Sequence, residues 1–237
     1  MRFKFVQNFI SLSIIKGFQL LVPLVILPYL ILTLGLNNYG KIAFAQSIAV
    51  FLGAIIQYGF NLTATRKVSR QKSDWRKLEE TFSLTFSAGL FLSLVSASIL
   101  LPLLIVFIKD DTLFWTCFFS FLTIAFQGLL PIWLFNGMEK MKFIAFVGAV
   151  SNISFLIGIL IFVTQKGHTV RVPMVHSITS FAALTFTILI VNYSLRIPVN
   201  FSKITLSKIM ESLKENRSAF IAQFAPNLYN NASIFLL

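Results

Sequence analysis

YGFNLTATRKVSRQKSDWRKLEE, residues 58–80, closes one long apolar run and opens the next. Within it Arg66, Lys67, Arg70, Lys72, Arg76 and Lys77 crowd six cations against Asp74, Glu79 and Glu80. The chain on either side is apolar enough to sit in a bilayer. The stretch therefore reads as a loop between two spanning helices, and its charge reports which side of the membrane the loop faces.

The composition agrees. The chain is 57% hydrophobic and 12% charged, with 27 phenylalanines and a mean hydropathy of +0.83. Soluble domains carry about 25% charge, so the excess of apolar residues belongs to an all-α integral membrane protein. A net charge of +12 in a soluble protein would suggest nucleic acid. A nucleic-acid binder gathers its cations on one folded face, whereas here they lie between apolar runs, so no nucleic-acid partner is expected. Cys117 is the only cysteine and falls inside an apolar run, which excludes an internal disulfide.

A spanning helix needs about 20 apolar residues. Six runs satisfy this: 9–34, 42–63, 82–108, 113–135, 143–163 and 174–195. A seventh begins near Ala219 and reaches the last residue, Leu237, with no polar flank, so the chain is expected to be the front part of a longer protein. The expected division is a six-span N-terminal lobe (1–195), a cytoplasmic linker (196–217) and the start of a seventh span (218–237). In the linker, Leu206, Ile209, Met210 and Leu213 recur at helical spacing, as in an amphipathic helix on the interface. A solvated linker is the alternative.

Of the twenty cations, fifteen fall on the side of the starting residues: Arg2, Lys4, the six of the opening stretch, Lys140, Lys142, Arg196, Lys203, Lys208, Lys214 and Arg217. Lys41, Lys109, Lys166 and Arg171 fall on the other side, and Lys16 lies within the first run. By the positive-inside rule the N-terminus is cytoplasmic. The opposite loops, 35–41, 109–112 and 164–173, are too short to hold an extracytoplasmic domain.

Polar side chains within spans turn toward the bundle interior or a water-filled cavity. Ser13, Lys16, Gln19 and Pro23 share one side of the first run. Gln46, Gly53 and Gln57 line up in the second, with Asn61 at its inner end. Thr116, Ser120, Thr123 and Gln127 form one stripe, and His176, Ser180 and Thr187 another. Gln223, Asn227 and Asn230 lie together in the seventh beside Pro226. Such stripes suit either a hydrated cavity or interhelical hydrogen bonding. Lys16, about 10 Å into the first run, could snorkel back to the headgroups or meet an anionic substrate in a cavity. Pro23, Pro28 and Pro226 mark bends that are either static kinks or gates.

No HExxH, GxxxxGK[ST], GxSxG or CxxC occurs, and nothing pairs a nucleophile with a base, so neither an enzyme nor a metal or cofactor site is expected. His168 lies in an outer loop and His176 at an outer membrane edge. Asp110 and Asp111 are expected to cap the next helix rather than form an acid pair.

Three blocks carry a resemblance. The first is LGLNNYGKIAFAQSIAVFLGAIIQYGFNLTATRKVSR, with Leu34-Gly35, Tyr39-Gly40 and Tyr58-Gly59-Phe60-Asn61 followed by Arg66, Lys67 and Arg70. The second is QGLLPIWLFNGMEKMKF, with Pro131, Trp133, Gly137 and Glu139-Lys140-Met141, and the third is FAPNLYNNASIFLL. In this order they resemble the bacterial polysaccharide repeat-unit flippases, of which the O-antigen flippase is the best-known type, within the multidrug/oligosaccharidyl-lipid/polysaccharide exporter superfamily.

The resemblance implies two six-helix lobes in a V around a central cavity in the bacterial cytoplasmic (inner) membrane. The implied substrate is an undecaprenyl-pyrophosphate-linked oligosaccharide, turned from the inner to the outer leaflet for O-antigen or capsule synthesis. Membrane lipids, a polysaccharide polymerase and chain-length machinery are the implied partners. Lys16 and Arg66 would meet the diphosphate. Gln19, Gln46, Gln57, Asn61, Gln127, Asn227 and Asn230 complete the cavity set, and the lipid tail would lie along an apolar portal. A small-molecule exporter of the same superfamily, a membrane polysaccharide polymerase or glycosyltransferase, and a structural scaffold are the alternative readings.

Overall fold

The computed structural model describes the backbone of residues 22–198, 200 and 204–235, and side chains as far as 224. Among the described residues every regular element is helical. The helices are α1 (Val22–Leu34), α2 (Leu36–Gln57), α3 (Phe60–Arg70), α4 (Trp75–Phe107), α5 (Asp111–Leu129), α6 (Ile132–Gly137), α7 (Met141–Phe162), α8 (Arg171–Leu189) and α9 (Leu206–Phe235). Five stretches are long and apolar enough to cross a bilayer: Leu36–Arg70, Trp75–Phe107, Asp111–Gly137, Met141–Phe162 and Arg171–Ser194. The chain is an all-α, multi-pass membrane protein. Large apolar side chains such as Leu94, Ile105, Ile161 and Phe181 face outward, as a lipid-facing surface requires.

Two of the runs read as continuous are interrupted. Tyr58 (φ 41°) and Gly59 (φ 75°) both adopt left-handed conformations between α2 and α3. Between α5 and α6 the chain breaks at Leu130-Pro131. Proline lacks the N–H the helical ladder needs and pushes its predecessor out of helical geometry, and Leu130 is extended at ψ 123°. The two breaks lie side by side, because α2 and α5 run parallel in close register. Gly53 leaves no room for a β-carbon against Ile124 Cγ2, and Gly128 leaves none against Ile56 (2.8 Å). Small residues let the backbones approach closely where lipid supplies no hydrophobic drive.

α4 is longer than its apolar run predicts. Its 33 residues span about 50 Å, well beyond the ~30 Å of hydrocarbon. The first two turns, with Arg76, Lys77, Glu79 and Glu80, project at the basic end of the bundle. Asp74 caps them through Lys77 N–H (3.3 Å). There Phe60, Val68, Leu78, Phe82, Trp133, Phe135, Val191, Leu195 and Ile197 form the largest buried cluster. Three cations of the opening stretch are ion-paired: Lys67 with Glu215 (2.9 Å), Lys72 with Glu139 (2.6 Å) and Lys77 with Asp74 (3.3 Å).

The amphipathic segment is helical and continues without a break into the seventh apolar run as α9. Its apolar stripe divides. Ile209 and Leu213 enter the buried cluster, with Ser212 and Asn216 beside them, while Leu206 and Met210 remain exposed. The half of the stripe that faces the bundle is therefore satisfied by protein. Further along, Phe220 stacks on Tyr58 (4.6 Å, 9°) and the Ala219–Phe220 backbone lies directly over Gly59.

At the opposite end Asp110 caps α5, accepting from Thr112 and Leu113 N–H, and pairs with Lys41 at 2.5 Å. The hydrogen bond from Lys41 holds its carboxyl below the usual carboxylate range, aided by the two backbone donors against a cost of leaving water. A depressed carboxyl stabilises the fold above its unfolded value of about 3.9, and that contribution is lost as pH falls through the folded value. Asp110→Ala is expected to lower the unfolding temperature at pH 7 and to shrink the loss seen on acidification to pH 3, followed by thermal unfolding in detergent. Superimposable wild-type and variant curves would contradict the assignment.

Candidate functional site

A cavity of about 310 Å³ opens where α5 breaks. Gln57 at the end of α2 and Gln127 at the end of α5 form one wall. Ser151 and Asn152 of α7 and Ser180 and Thr187 of α8 form another. Leu130, Pro131, Phe135, Phe143 and Val147 complete it with apolar surface. Among the described residues the walls carry amides, hydroxyls and rings and no Asp, Glu, Lys or Arg, which suits hydrogen bonding to a neutral polar ligand rather than ion pairing. Beside it runs an apolar groove of about 250 Å³ between α7 and α8, lined by Val150, Ile178, Ala182 and Phe186. Val147, Ser151 and Ala183 line both cavity and groove.

The polar side chains are held by specific contacts. Asn61 Nδ2 donates to Gln57 Oε1 (3.1 Å), joining the first turn of α3 to the end of α2 across the Tyr58-Gly59 break. Gln127 Nε2 donates to Ser180 Oγ (3.2 Å) and lies 3.1 Å from His176 Nε2. The His176 ring stacks on Phe155 (4.2 Å, 22°). His176 is thus not at the edge of the bundle, although its sequence position near the start of α8 places it there. Thr123, twelve residues into α5, donates to the carbonyl of Pro173 near the start of α8 (3.4 Å). The outer end of α8 accordingly lies about 15 Å deeper than that of α5.

Of the residues singled out from sequence, Gln57 and Gln127 line the cavity and Asn61 supports Gln57. Gln46 is exposed on α2, two to three turns from the cavity, and Arg66 is exposed at the basic end, its guanidinium making no hydrogen bond or ion pair among the described residues. Lys16 and Gln19 lie outside the described residues, as do the side chains of Asn227 and Asn230. The α5 stripe is mostly packing. Thr116 and Thr123 turn their hydroxyls back to Thr112 O (2.6 Å) and Phe119 O (2.9 Å), Ser120 is buried, and only Gln127 reaches the cavity. Ser151 and Asn152 were missed. Their signal is Gly148, Ser151 and Asn152 at i, i+3 and i+4, the one polar patch in an otherwise apolar run.

Similarity to known proteins bears on what such a bundle does. A family model described as "Polysaccharide biosynthesis protein" matches residues 5–237. A protein of Escherichia coli (strain K12) named "Putative O-antigen transporter" is 28% identical over 98% of this chain and 55% of its own length. A protein of the same name from Shigella dysenteriae is 26% identical over 98% of this chain and 57% of its own length. The chain spans about half the length of the curated relatives it matches. No solved structure matches it. Matched over nearly its whole length and built of membrane-spanning helices, this chain belongs to the polysaccharide biosynthesis protein family.

Proposed function

We propose that this chain forms one lobe, with linker and first following helix, of a transporter that turns undecaprenyl-pyrophosphate-linked oligosaccharides from the cytoplasmic to the outer leaflet of the inner membrane. The observation that carries this reading is the neutral, amide- and hydroxyl-lined cavity beside an apolar groove on a lipid-facing surface. A ligand that is sugar at one end and hydrocarbon at the other matches that pairing. The glycan would meet Gln57, Gln127 and Asn152, and the chain of the lipid would follow Val150, Ile178 and Phe186. The names of the two relatives support transport of a polysaccharide-related substrate.

The remaining assignments follow from this reading. The N-terminus and the basic loops are cytoplasmic, as fifteen cations against four suggest. Exposed Gln46 would face a second lobe across the central space, with Asn227 and Asn230 on the neighbouring helix. The diphosphate would be met by Lys16 and by Arg66 at the basic mouth. Alternating access would move one lobe against the other around the bound glycan.

The test is genetic and direct. A strain lacking the gene is expected to lose surface polysaccharide and to accumulate its lipid-linked precursor, with both restored by the full-length gene product. Full-length Lys16→Ala is expected to insert normally yet fail to restore export. Normal surface polysaccharide in the deletion strain would contradict the function. Normal export by Lys16→Ala would return Lys16 to a snorkelling role.

A further inference from the structure

His176 stands one hydrogen bond behind the cavity wall, since Gln127 lines the cavity with Ser180 and its amide meets the imidazole. Among the described spans it is the only side chain whose ordinary charge change falls between pH 5 and 8. An amide nitrogen only donates. With Gln127 Nε2 placed 3.1 Å from His176 Nε2, the contact is a hydrogen bond only where that ring nitrogen accepts, as in a neutral imidazole carrying its proton on Nδ1. Both amide hydrogens are then engaged, by His176 and by Ser180, and Gln127 Oε1 has no hydrogen-bond partner among the described residues.

A doubly protonated ring cannot keep this arrangement, because its Nε2–H would face the amide NH2. Turning the Gln127 amide by about 180° resolves the clash. Oε1 then accepts from His176 Nε2–H and from the Ser180 hydroxyl, and the NH2 takes the free position. We propose that His176 is a proton-binding site coupled to the cavity through Gln127, so that taking up a proton exchanges an acceptor for a donor on the cavity wall. The deprotonated wall favours a ligand hydroxyl, and the protonated wall favours an anionic or carbonyl oxygen. Where the ligand is a glycan carrier, which rests on the transport reading, proton uptake alters how tightly the glycan is held.

Among the described residues no charged neighbour competes for the imidazole. From α7 the group against it is Phe155, and the only charge on α7 is exposed Lys142 at its start. On α5, Cys117 is buried in the cluster of Ala45 and Leu100, and Asp111 is exposed at the far end. On α8, Arg171 bonds to Phe162 O and to His168. Tyr29 and Tyr39 pack in the cluster around Val172, where Tyr29 donates to Val163 O. None of these makes a hydrogen bond or ion pair with His176.

The proton site is read without substrate. The full-length protein, labelled at histidine and glutamine side-chain nitrogens and reconstituted in nanodiscs, is titrated by NMR, with His176→Gln and Gln127→Asn assigning the signals. The His176 ring is expected to take up a proton on acidification, the Gln127 amide to shift with the same midpoint, and Ser180→Ala to move it. A His176 that stays neutral down to the pH at which the protein unfolds, or a Gln127 amide indifferent to its protonation, overturns the proposal. In cells, His176→Gln at wild-type membrane abundance is expected to lower export at least tenfold and to flatten its pH profile. Wild-type export with the wild-type pH profile in that variant overturns the coupling. Coupled titration in a protein that moves no glycan would uphold the proton site and sink the transport reading alone.

Discussion

Gly59→Val is expected to loosen α9 from the bundle and lower the unfolding temperature by about 8 °C. Two effects add. Gly59 holds a left-handed conformation at φ 75°, which costs an ordinary residue about 1–2 kcal/mol and a β-branched one more. A β-carbon there would also lie 2.8 Å from the carbonyl carbon of Ala219 and 2.9 Å from Phe220 N. Those are backbone atoms that no rotamer change can move aside, and such overpacking costs about 1–3 kcal/mol. A total near 3 kcal/mol, at about 2–4 °C per kcal/mol for a chain of this size, gives the shift. The Tyr58–Phe220 stack should open with it, and a loosened α9 should be cut faster by trypsin at Lys208 and Lys214, whose side chains are already exposed. Unchanged melting and unchanged tryptic protection would show that α9 does not rest on this break.

The second large effect is on function. Asn152 lines the cavity from α7, and Asn152→Phe replaces a hydrogen-bonding amide with a ring that fills the space. In the full-length protein this is expected to reduce surface-polysaccharide export at least tenfold, equivalent to about 1.4 kcal/mol of transition-state stabilisation. Ile153→Phe, one residue on and exposed on the lipid-facing side, is expected to leave export within twofold of wild type. The comparison is made at equal membrane abundance. Loss in both variants would point to folding, and loss in neither would remove the cavity from the transport path.

The helices were legible because a bilayer forces each span to satisfy its own backbone hydrogen bonds, so twenty apolar residues between charged loops admit one solution. The cap at Asp110 was legible for the same local reason. What could not be read were relations between helices. The 15 Å offset that brings His176 to Gln127 depends on how α8 docks against α5, and no periodicity within α8 encodes that. Thr116 and Thr123 show the same limit from the other side, since identical spacing serves a cavity wall or a packed interface. Two features were present and passed over. Pro131 has the local chemistry of a helix break inside a run read as continuous, and Ser151-Asn152 is a polar patch in an otherwise apolar span. The blocks that carry the family resemblance include Tyr58-Gly59 and Pro131, two positions where the helices part from regularity, and the cavity lies beside them.

The central claim is that this lobe carries the path of a lipid-linked glycan. It is tested most directly by reconstituting the full-length protein in vesicles holding a fluorescent undecaprenyl-pyrophosphate-linked oligosaccharide in one leaflet and timing its arrival in the other. The account predicts that wild type and Ile153→Phe move the substrate and that Asn152→Phe does not. A wild-type protein that moves none, or an Asn152→Phe protein that moves it at the wild-type rate, would contradict the account.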